Sequence, residues 1–107
     1  MKYLILFLCM TMVYSDCSCS CMDRETLGRS TWYLLHEIPK HADPEYEPAF
    51  DLMLRTLAVL YPCPECRAHI QEYLDSHRVQ MTEKWMCEFH NDVNKRLNKT
   101  LVPCSSY

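Results

Sequence analysis

The residues best suited to chemistry are the two cysteines of the segment Cys63-Pro64-Glu65-Cys66. Two thiols three positions apart can close a small disulfide, and Pro64 stands where the first turn of a helix tolerates proline. The amino end of a helix also stabilises a thiolate. A structural bridge, or half of a zinc site with His69 as a further ligand, are the alternatives. We interpret the pair as redox-active.

A second group of reactive and polar side chains consists of Cys87, His90, Asn91 and Asn94. Their spacing of three, four and seven residues puts them on one face of a helix. Such a polar stripe is costly inside a helical bundle unless it meets polar partners. A ligand with many hydrogen-bonding edges would satisfy it, and the alternative is a solvated helix face.

A third stripe is formed by Gly28, Trp32 and His36, which follow one another at steps of four. Gly28 is the only glycine of the chain and costs about 1 kcal/mol relative to Ala inside a helix. A position without a side chain, next to an aromatic ring and an imidazole, fits a flat ring that approaches the backbone. The alternative is ordinary core packing of Trp32 with a satisfied His36.

The elements that must position these groups are predicted to be four helices. Apolar residues at steps of three and four indicate helices over residues 25–39, ended by Pro39, and 50–61. A third begins at Pro64 and ends before His77, and a fourth runs from Glu83 to about Asn98, while residues 41–48 are predicted to be a polar loop. Short connections favour an antiparallel bundle. No alternating pattern supports strands, so an all-β fold or a thioredoxin-like βαβ unit is not expected.

The composition narrows the class of protein. The chain has 107 residues, 49% of them hydrophobic, with a formal net charge of −3. This length allows one small domain, the apolar content excludes intrinsic disorder, and the acidic balance argues against nucleic-acid binding. Eight cysteines indicate either an oxidising compartment or cysteine chemistry.

The amino-terminal residues are predicted to be a targeting segment followed by an arm. Lys2, an apolar run and small residues at Val13 and Ser15 are typical of a secretory signal peptide over residues 1–15. The run is too short to span a bilayer core of roughly 30 Å as a helix. The alternative to a cleaved signal peptide is an uncleaved anchor at the membrane. Residues 16–24 are predicted to be a flexible, cysteine-rich arm. We therefore expect the secretory pathway, either the endoplasmic reticulum lumen or the outside of the cell.

Together these motifs resemble a known family. The segments 27–32, 35–36, 61–66 and 85–99, followed by Cys104, closely resemble the Erv/ALR family of FAD-linked sulfhydryl oxidases. The resemblance covers residues from about Cys21 to Cys104. It implies an all-α fold, a four-helix bundle plus a short fifth helix that binds FAD, over residues 25–107. It also implies a homodimer, and it accounts for the absence of a Gly-rich dinucleotide loop.

The resemblance assigns roles to matching positions. Cys66 would lie against the flavin, and Cys63, the more exposed of the two, would exchange disulfides with an incoming dithiol. Cys87 and Cys104 match the family's structural disulfide. The positions matching those that line FAD are Gly28, Arg29, Trp32, His36, Cys66, His90, Asn91, Asn94 and Lys99.

The arm cysteines Cys17, Cys19 and Cys21 resemble the mobile dithiols that relay electrons from client proteins in this family. A bridge between subunits through Cys21, or a plain tail, are the alternatives. Longer members continue past Cys104 with an aromatic-containing tail near the adenine, and Pro64 replaces an acidic residue common in the long cellular enzymes. These two differences bear on the adenine contacts and on the redox potential.

The resemblance implies an enzyme that forms disulfides in protein clients. Electrons would come from a protein dithiol or a partner oxidoreductase and pass to O₂, which gives H₂O₂. No metal is expected. Two rival functions are a flavin-free thiol–disulfide exchange protein and a non-enzymatic, disulfide-stapled secreted helical module.

Overall fold

Four helices make up the framework in the computed structural model, which describes residues 22–107. They are α1 (Arg24–His41), α2 (Glu47–Leu60), α3 (Pro64–Ser76) and α4 (Glu83–Arg96), and a 3₁₀ turn (Pro44–Tyr46) lies between α1 and α2. The expected all-α fold with four helices is confirmed. The short fifth helix does not appear after α4, where residues 99–104 have no helical structure.

Side chains at the helix starts explain where three of the helices begin. The Asp23 carboxylate accepts the backbone N–H groups of Glu25, at 3.1 Å, and Thr26, at 3.4 Å, at the start of α1. The Thr82 hydroxyl accepts from the Trp85 N–H, at 3.0 Å, at the start of α4. At the start of α3 the capping atom is the Cys63 sulfur, which accepts the Cys66 N–H at 3.3 Å. Each cap satisfies amide groups that the first helical turn leaves without a partner.

Two boundaries differ from the sequence prediction. α1 does not end at Pro39 but continues to His41, because a proline in the last turn removes only its own N–H, and Ala42 still donates to the Ile38 carbonyl at 2.9 Å. The predicted loop over residues 41–48 contains the 3₁₀ turn, closed by the Tyr46 N–H bonding to the Asp43 carbonyl at 3.0 Å, and α2 begins within it.

The core forms where α2 packs on α3 and α1 packs on α4. An aromatic cluster lies at its centre, with the Tyr73 and Phe89 rings 4.6 Å apart and the Trp85 and Phe89 rings 5.5 Å apart. Burial of this apolar surface is the main stabilising term for so small a domain. The buried core side chains are Leu35, Phe50, Leu54, Ala58, Tyr73, Leu74, Val79, Met81, Trp85, Met86 and Phe89.

The predicted targeting segment, residues 1–15, and residues 16–21 of the predicted arm lie outside the described residues. Among the helices that the structure does describe, none is long and apolar enough to cross a membrane.

Candidate active site

The Cys63–Cys66 pair forms a disulfide at the amino end of α3. Cys63 is the N-cap residue, and its Sγ accepts the backbone N–H of Cys66 at 3.3 Å. Pro64 occupies the first helical position, where no N–H is needed. After reduction, the free amide groups and the positive end of the helix dipole would stabilise a thiolate at this position. The local sequence thus builds a reactive pair into a helix start.

The exposure of the two cysteines is the reverse of the expected order. Cys63 is fully buried, whereas Cys66 is only partly buried. The expectation that Cys63 is the more exposed of the two is therefore wrong for this chain. The physical reason is that the Cys63 sulfur lies under the first turn of α3 and 3.8 Å from the carboxylate oxygen of Glu65.

The connection before the pair is tied to both neighbouring helices. The Tyr61 hydroxyl donates to the Thr31 hydroxyl of α1 at 3.1 Å. The Arg67 guanidinium of α3 donates to the Tyr61 carbonyl at 2.5 Å. These bonds fix the segment that carries the disulfide beside α1, at Thr31. Sequence reasoning did not identify Tyr61 and Arg67 as positioning residues, because the bond from Tyr61 joins it to Thr31, 30 residues away, and the bond from Arg67 to the Tyr61 carbonyl depends on how the chain turns into α3.

A flat aromatic surface joins α1 to α4. The Trp32 and His90 rings stack with centroids 3.9 Å apart and planes 10° apart, and Phe89 meets Trp32 edge-on at 5.4 Å. The His36 Nε2 lies 2.9 Å from the His90 Nδ1. The two stripes recognised separately in the sequence, one on each helix, therefore meet in the fold.

Both histidines are uncharged at neutral pH. Burial, together with the smaller effects of the nearby His36 and Lys99, lowers the pKa of His90 to about 4. Burial, followed by the positive charge of Lys40, lowers the pKa of His36. In the contact between them, one ring nitrogen therefore donates a hydrogen bond and the other accepts it. The result is a neutral, flat surface with positive charges at its edge.

A cleft of about 290 Å³ opens beside this surface. Lys40 lies four residues after His36, and Glu83 four residues before Cys87, so each extends a recognised stripe by one turn. That spacing could have identified Lys40 and Glu83 as site residues from the sequence. Val102 and Tyr107 could not be identified in this way, because they reach the cleft only through the path of the carboxy-terminal segment. The residues lining the cleft are His36, Lys40, Glu83, Cys87, His90, Asn91, Val102 and Tyr107.

The carboxy-terminal segment is fastened to α4 by a second disulfide, Cys87–Cys104. The Asn91 side chain reinforces it through both of its polar atoms. Its Nδ2 donates to the Val102 carbonyl at 2.6 Å, and its Oδ1 accepts the Val102 N–H at 2.9 Å. Asn91, which is expected to line a cofactor site, thus lines the cleft. Both of its polar atoms, however, bind the backbone of Val102 in the segment that forms one wall of the cleft.

Asn94 is only 8% exposed, and its side-chain amide takes part in none of the hydrogen bonds found among residues 22–107. At Gly28, by contrast, the helix surface is open, because a Cβ atom added there would meet no atom within 4 Å. A buried amide without a partner is costly, and such groups usually serve a ligand or water. Asn94 and Gly28 therefore offer one unsatisfied polar group and one open stretch of helix backbone.

The remaining predicted site residues are positively charged and lie outside the cleft. Arg29 forms an exposed ion pair with Glu25 at 3.5 Å. Lys99 is exposed, its backbone N–H donates to the Asn94 carbonyl at 2.8 Å, and its charge is felt at His90. Within residues 22–107, no three His, Cys, Asp or Glu side chains are grouped so that they could hold a metal ion.

These features define an all-helical domain that combines a disulfide at a helix start, with its Cys63 fully buried, a neutral aromatic surface between two helices and an open cleft beside that surface. The chain belongs to the Erv1/Alr family, whose family model matches residues 29–107. It is 34% identical over 98 residues to the FAD-linked sulfhydryl oxidase ERV1 of Oryza sativa subsp. japonica, covering 83% of this chain and 50% of the relative.

Two further similarities agree with this membership. The mitochondrial FAD-linked sulfhydryl oxidase erv1 of Schizosaccharomyces pombe is 39% identical over 93 residues, covering 77% of this chain and 51% of the relative. The crystal structure of a double cysteine-to-serine variant of Erv1 from Saccharomyces cerevisiae superposes with a TM-score of 0.71 at 28% identity, covering 87% of this chain and 66% of that chain. The chain thus spans about half the length of the curated relatives it matches.

The expected location in the secretory pathway is wrong. The relatives from Schizosaccharomyces pombe and Saccharomyces cerevisiae are named as mitochondrial enzymes. A single lysine followed by an apolar run is a weak signal, and a high cysteine content follows from thiol chemistry wherever that chemistry takes place.

Proposed function

We propose that this chain is an FAD-dependent thiol oxidase that forms disulfides in protein substrates, with residues 25–107 as the catalytic domain. The observation that carries the proposal is the Cys63–Cys66 disulfide at the start of α3, held next to the helix that carries Trp32. The relatives' names, which describe FAD-linked sulfhydryl oxidases, support the same activity.

The aromatic surface between α1 and α4 fits a flavin. The neutral stack of Trp32 and His90 suits an uncharged ring system, and the open backbone at Gly28 allows a ring to approach α1. The unpartnered amide of Asn94 would gain a polar partner. When bound, FAD would take up the two electrons of the Cys63/Cys66 dithiol and deliver them to O₂, which gives H₂O₂. The residues proposed to hold it are Gly28, Arg29, Trp32, His36, Cys66, His90, Asn91, Asn94 and Lys99.

The protein's own part in the reaction is thiol–disulfide exchange. A substrate thiolate attacks the Cys63 sulfur, which breaks the Cys63–Cys66 bond and leaves Cys66 as a thiolate at the helix start. The second substrate thiolate then attacks the substrate sulfur of the mixed disulfide and releases Cys63. The substrate has lost two electrons and two protons and holds a new disulfide, and the Cys63/Cys66 pair is reduced. Partly exposed Cys66 is the sulfur proposed to face the flavin.

The arm is proposed to deliver electrons from bulky clients. A folded client cannot easily reach the fully buried Cys63. Arg24, the last residue of the arm, forms an ion pair with Glu65 beside Cys63, so the end of the arm lies close to the pair, and Cys21 precedes Arg24 by three residues. Replacing Cys17, Cys19 and Cys21 together by Ser should preserve oxidation of dithiothreitol and sharply slow oxidation of a reduced protein. Parallel loss of both activities would instead indicate a role in assembly.

A homodimer is proposed from the apolar side chains that α1 and α2 leave exposed. Leu52 and Val59 are 66% and 68% exposed and lie seven residues apart, so they share one face of α2. Adjacent Leu60, and Tyr33 and Leu34 of α1, are also exposed. Exposed large apolar side chains grouped on one helix face often mark an interface. Changing Leu52 and Val59 to Glu should give a monomer by light scattering, whereas Leu101→Glu, also exposed, should leave the dimer intact.

The decisive experiment is the absorption spectrum of the purified full chain together with its consumption of thiols. We expect a flavin spectrum and formation of H₂O₂ in proportion to thiol loss. A colourless protein that still exchanges disulfides would support the flavin-free rival, and a colourless inert one would support the structural module.

Asn94→Leu tests the fit to FAD without relying on turnover. The variant should bind FAD at least tenfold more weakly, while the flavin-free protein should unfold at the same or a higher temperature because an unsatisfied buried amide is gone. Gln80→Leu, which alters an exposed amide, is the matched control and should change neither quantity. Unchanged FAD affinity in Asn94→Leu would contradict the proposed role of Asn94.

A further inference from the structure

An ion pair from two different helices lies against the buried sulfur of the redox disulfide. The Glu65 Oε1 is 3.8 Å from the Cys63 Sγ, and the same oxygen pairs with the Arg24 guanidinium at the start of α1. The Glu65 and Arg24 side chains are 64% and 59% exposed, whereas Cys63 is fully buried. The carboxylate therefore contacts the sulfur and faces solvent at the same time.

This position of Glu65 is unfavourable for the chemistry unless it is compensated. A carboxylate beside the sulfur repels an approaching thiolate and destabilises the thiolate that Cys63 becomes later in the exchange. The ion pair contributes little to folding, because exposed pairs add little to stability. Arg24 supplies an equal positive charge from α1, so the two side chains together present a nearly balanced charge at the entrance to Cys63.

We propose that Arg24 and Glu65 are positioning residues that control the charge preference for thiols reaching Cys63. Glu65 covers the sulfur, and Arg24 both holds the carboxylate in place and cancels its field. The balanced pair allows thiols of either charge to react, which suits an enzyme whose clients are diverse proteins. This inference rests on the proposed function, because it concerns the thiol exchange that the oxidase requires.

The test uses three small monothiols that differ in charge: cationic cysteamine, neutral 2-mercaptoethanol and anionic 2-mercaptoethanesulfonate. One monothiol forms a mixed disulfide with Cys63 and displaces Cys66, and a second releases Cys63, so that two thiols become one disulfide and the pair gains two electrons. The full chain with its bound flavin is mixed with each thiol without oxygen and quenched by alkylation. The reduced Cys63/Cys66 pair is then counted by mass spectrometry and the reduced flavin by its lost absorbance, because bound flavin takes up electrons from the pair, and the sum of the two gives the rate of the exchange.

The variants are Glu65→Gln, Arg24→Gln and the two combined. Glu65→Gln leaves an unbalanced positive charge, so the ratio of the cysteamine rate to the mercaptoethanesulfonate rate should fall about threefold to tenfold. Arg24→Gln leaves the negative charge and should raise the same ratio by a similar factor. The double variant should return close to the wild-type ratio. At about 1 M salt the differences should collapse, because the Debye length is then about 3 Å.

Several controls isolate the effect. Arg67 stays in every variant, where it donates to the Tyr61 carbonyl, so its charge cancels in the comparison. The ion pair between Arg55 and Asp51 on α2, at 3.1 Å, is also exposed, and Arg55→Gln should leave all three rates unchanged. The 2-mercaptoethanol rate reports any general change in access to the sulfur.

Opposite shifts of the charge ratio in the two single variants would support the proposal. Equal ratios in all variants, or shifts in the same direction, would overturn it and leave the ion pair with a structural role only, while the oxidase function would stand. Failure of all three thiols to reduce the wild-type pair would overturn both the proposed function and this inference.

Discussion

The two disulfides of the described residues differ in their surroundings and in the length of chain that each one closes. Cys63–Cys66 joins residues three apart at a helix start, with a polar amide and a carboxylate at the sulfur. Cys87–Cys104 joins residues 17 apart and fastens the carboxy-terminal segment to the middle of α4. The first constrains almost no chain, since its loop is part of one helical turn. The second closes a loop long enough to stabilise the fold.

The surroundings indicate why only the first pair is suited to redox cycling. Breaking Cys63–Cys66 leaves both cysteines within the same helix start, where a thiolate is stabilised by amide groups. Breaking Cys87–Cys104 would release a segment that lines the cleft at Val102 and Tyr107. A redox bond should be breakable without structural cost, and a structural bond should not be broken during turnover. The fold meets these two demands with two disulfides in different places, one at the start of α3 and one between α4 and the carboxy-terminal segment.

The largest expected effect comes from Cys66→Ser. This change removes one sulfur of the redox pair but no structural loop, so it should abolish thiol oxidation while the protein retains its fold and bound flavin. Long-wavelength absorbance from a thiolate–flavin contact, if present in the wild type, should disappear. Thiol consumption and the absorption spectrum measure the two outcomes. Retained oxidase activity would mean that the electron path is assigned to the wrong pair.

The converse change, Cys87→Ala with Cys104→Ala, should separate stability from activity. Loss of a loop of this length should cost about 3 kcal/mol in the chain-entropy model. The melting temperature should fall by several degrees, while reduction of the flavin by dithiothreitol should persist below the new transition. Thermal unfolding and anaerobic flavin reduction provide the measurements. A double variant as stable as the wild type would contradict the structural role.

The spacing of apolar residues predicted much of the interior, but not which neighbour faces inward. Phe50 and Leu54 are buried as their positions indicate. On α1, by contrast, Leu34 is 55% exposed while adjacent Leu35 is buried. Both residues fit a helical stripe, and only the direction from which α4 packs decides between them. On α4, Leu97 fits the stripe but follows the last helical residue, so it is exposed.

The candidate site was predictable as two separate halves. The spacing of Trp32 and His36 on one helix, and that of His90 on another, predicted the two faces, but the stacking of Trp32 on His90 depends on tertiary packing. The burial of Cys63 could not be predicted either, because the pair that lies against it joins residues 41 apart in the chain. Local patterns thus identify chemistry, whereas exposure and partners come from packing between helices.

The pH dependence of stability below neutral pH should come in part from the half-buried imidazole of His90. Burial lowers the pKa of His90 to about 4, below its ordinary value of 6.5. Because the folded state favours the neutral ring, this stabilisation is fully present above pH 6.5 and is lost as the pH falls towards 4. Allowing for solvent screening, the loss should be about 1 to 2 kcal/mol. His90→Gln should flatten the dependence of the unfolding free energy on pH over this range, whereas Gln80→Leu, which changes an exposed amide, should leave the pH slope unchanged.

An effect of similar size concerns the polar partner of the structural disulfide. Asn91→Ala removes two hydrogen bonds to the Val102 backbone and should cost about 1 to 2 kcal/mol. Asn91→Asp keeps the acceptor for the Val102 N–H but loses the donor, so it should fall between Asn91→Ala and the wild type. Without the Cys87–Cys104 bond, Val102 is no longer held near α4 by a covalent link, and Asn91→Ala should then cost less. Denaturant unfolding of the four combinations measures this coupling. Strictly additive effects would show that the two attachments hold the segment independently, and that the disulfide alone does not position Val102 for Asn91.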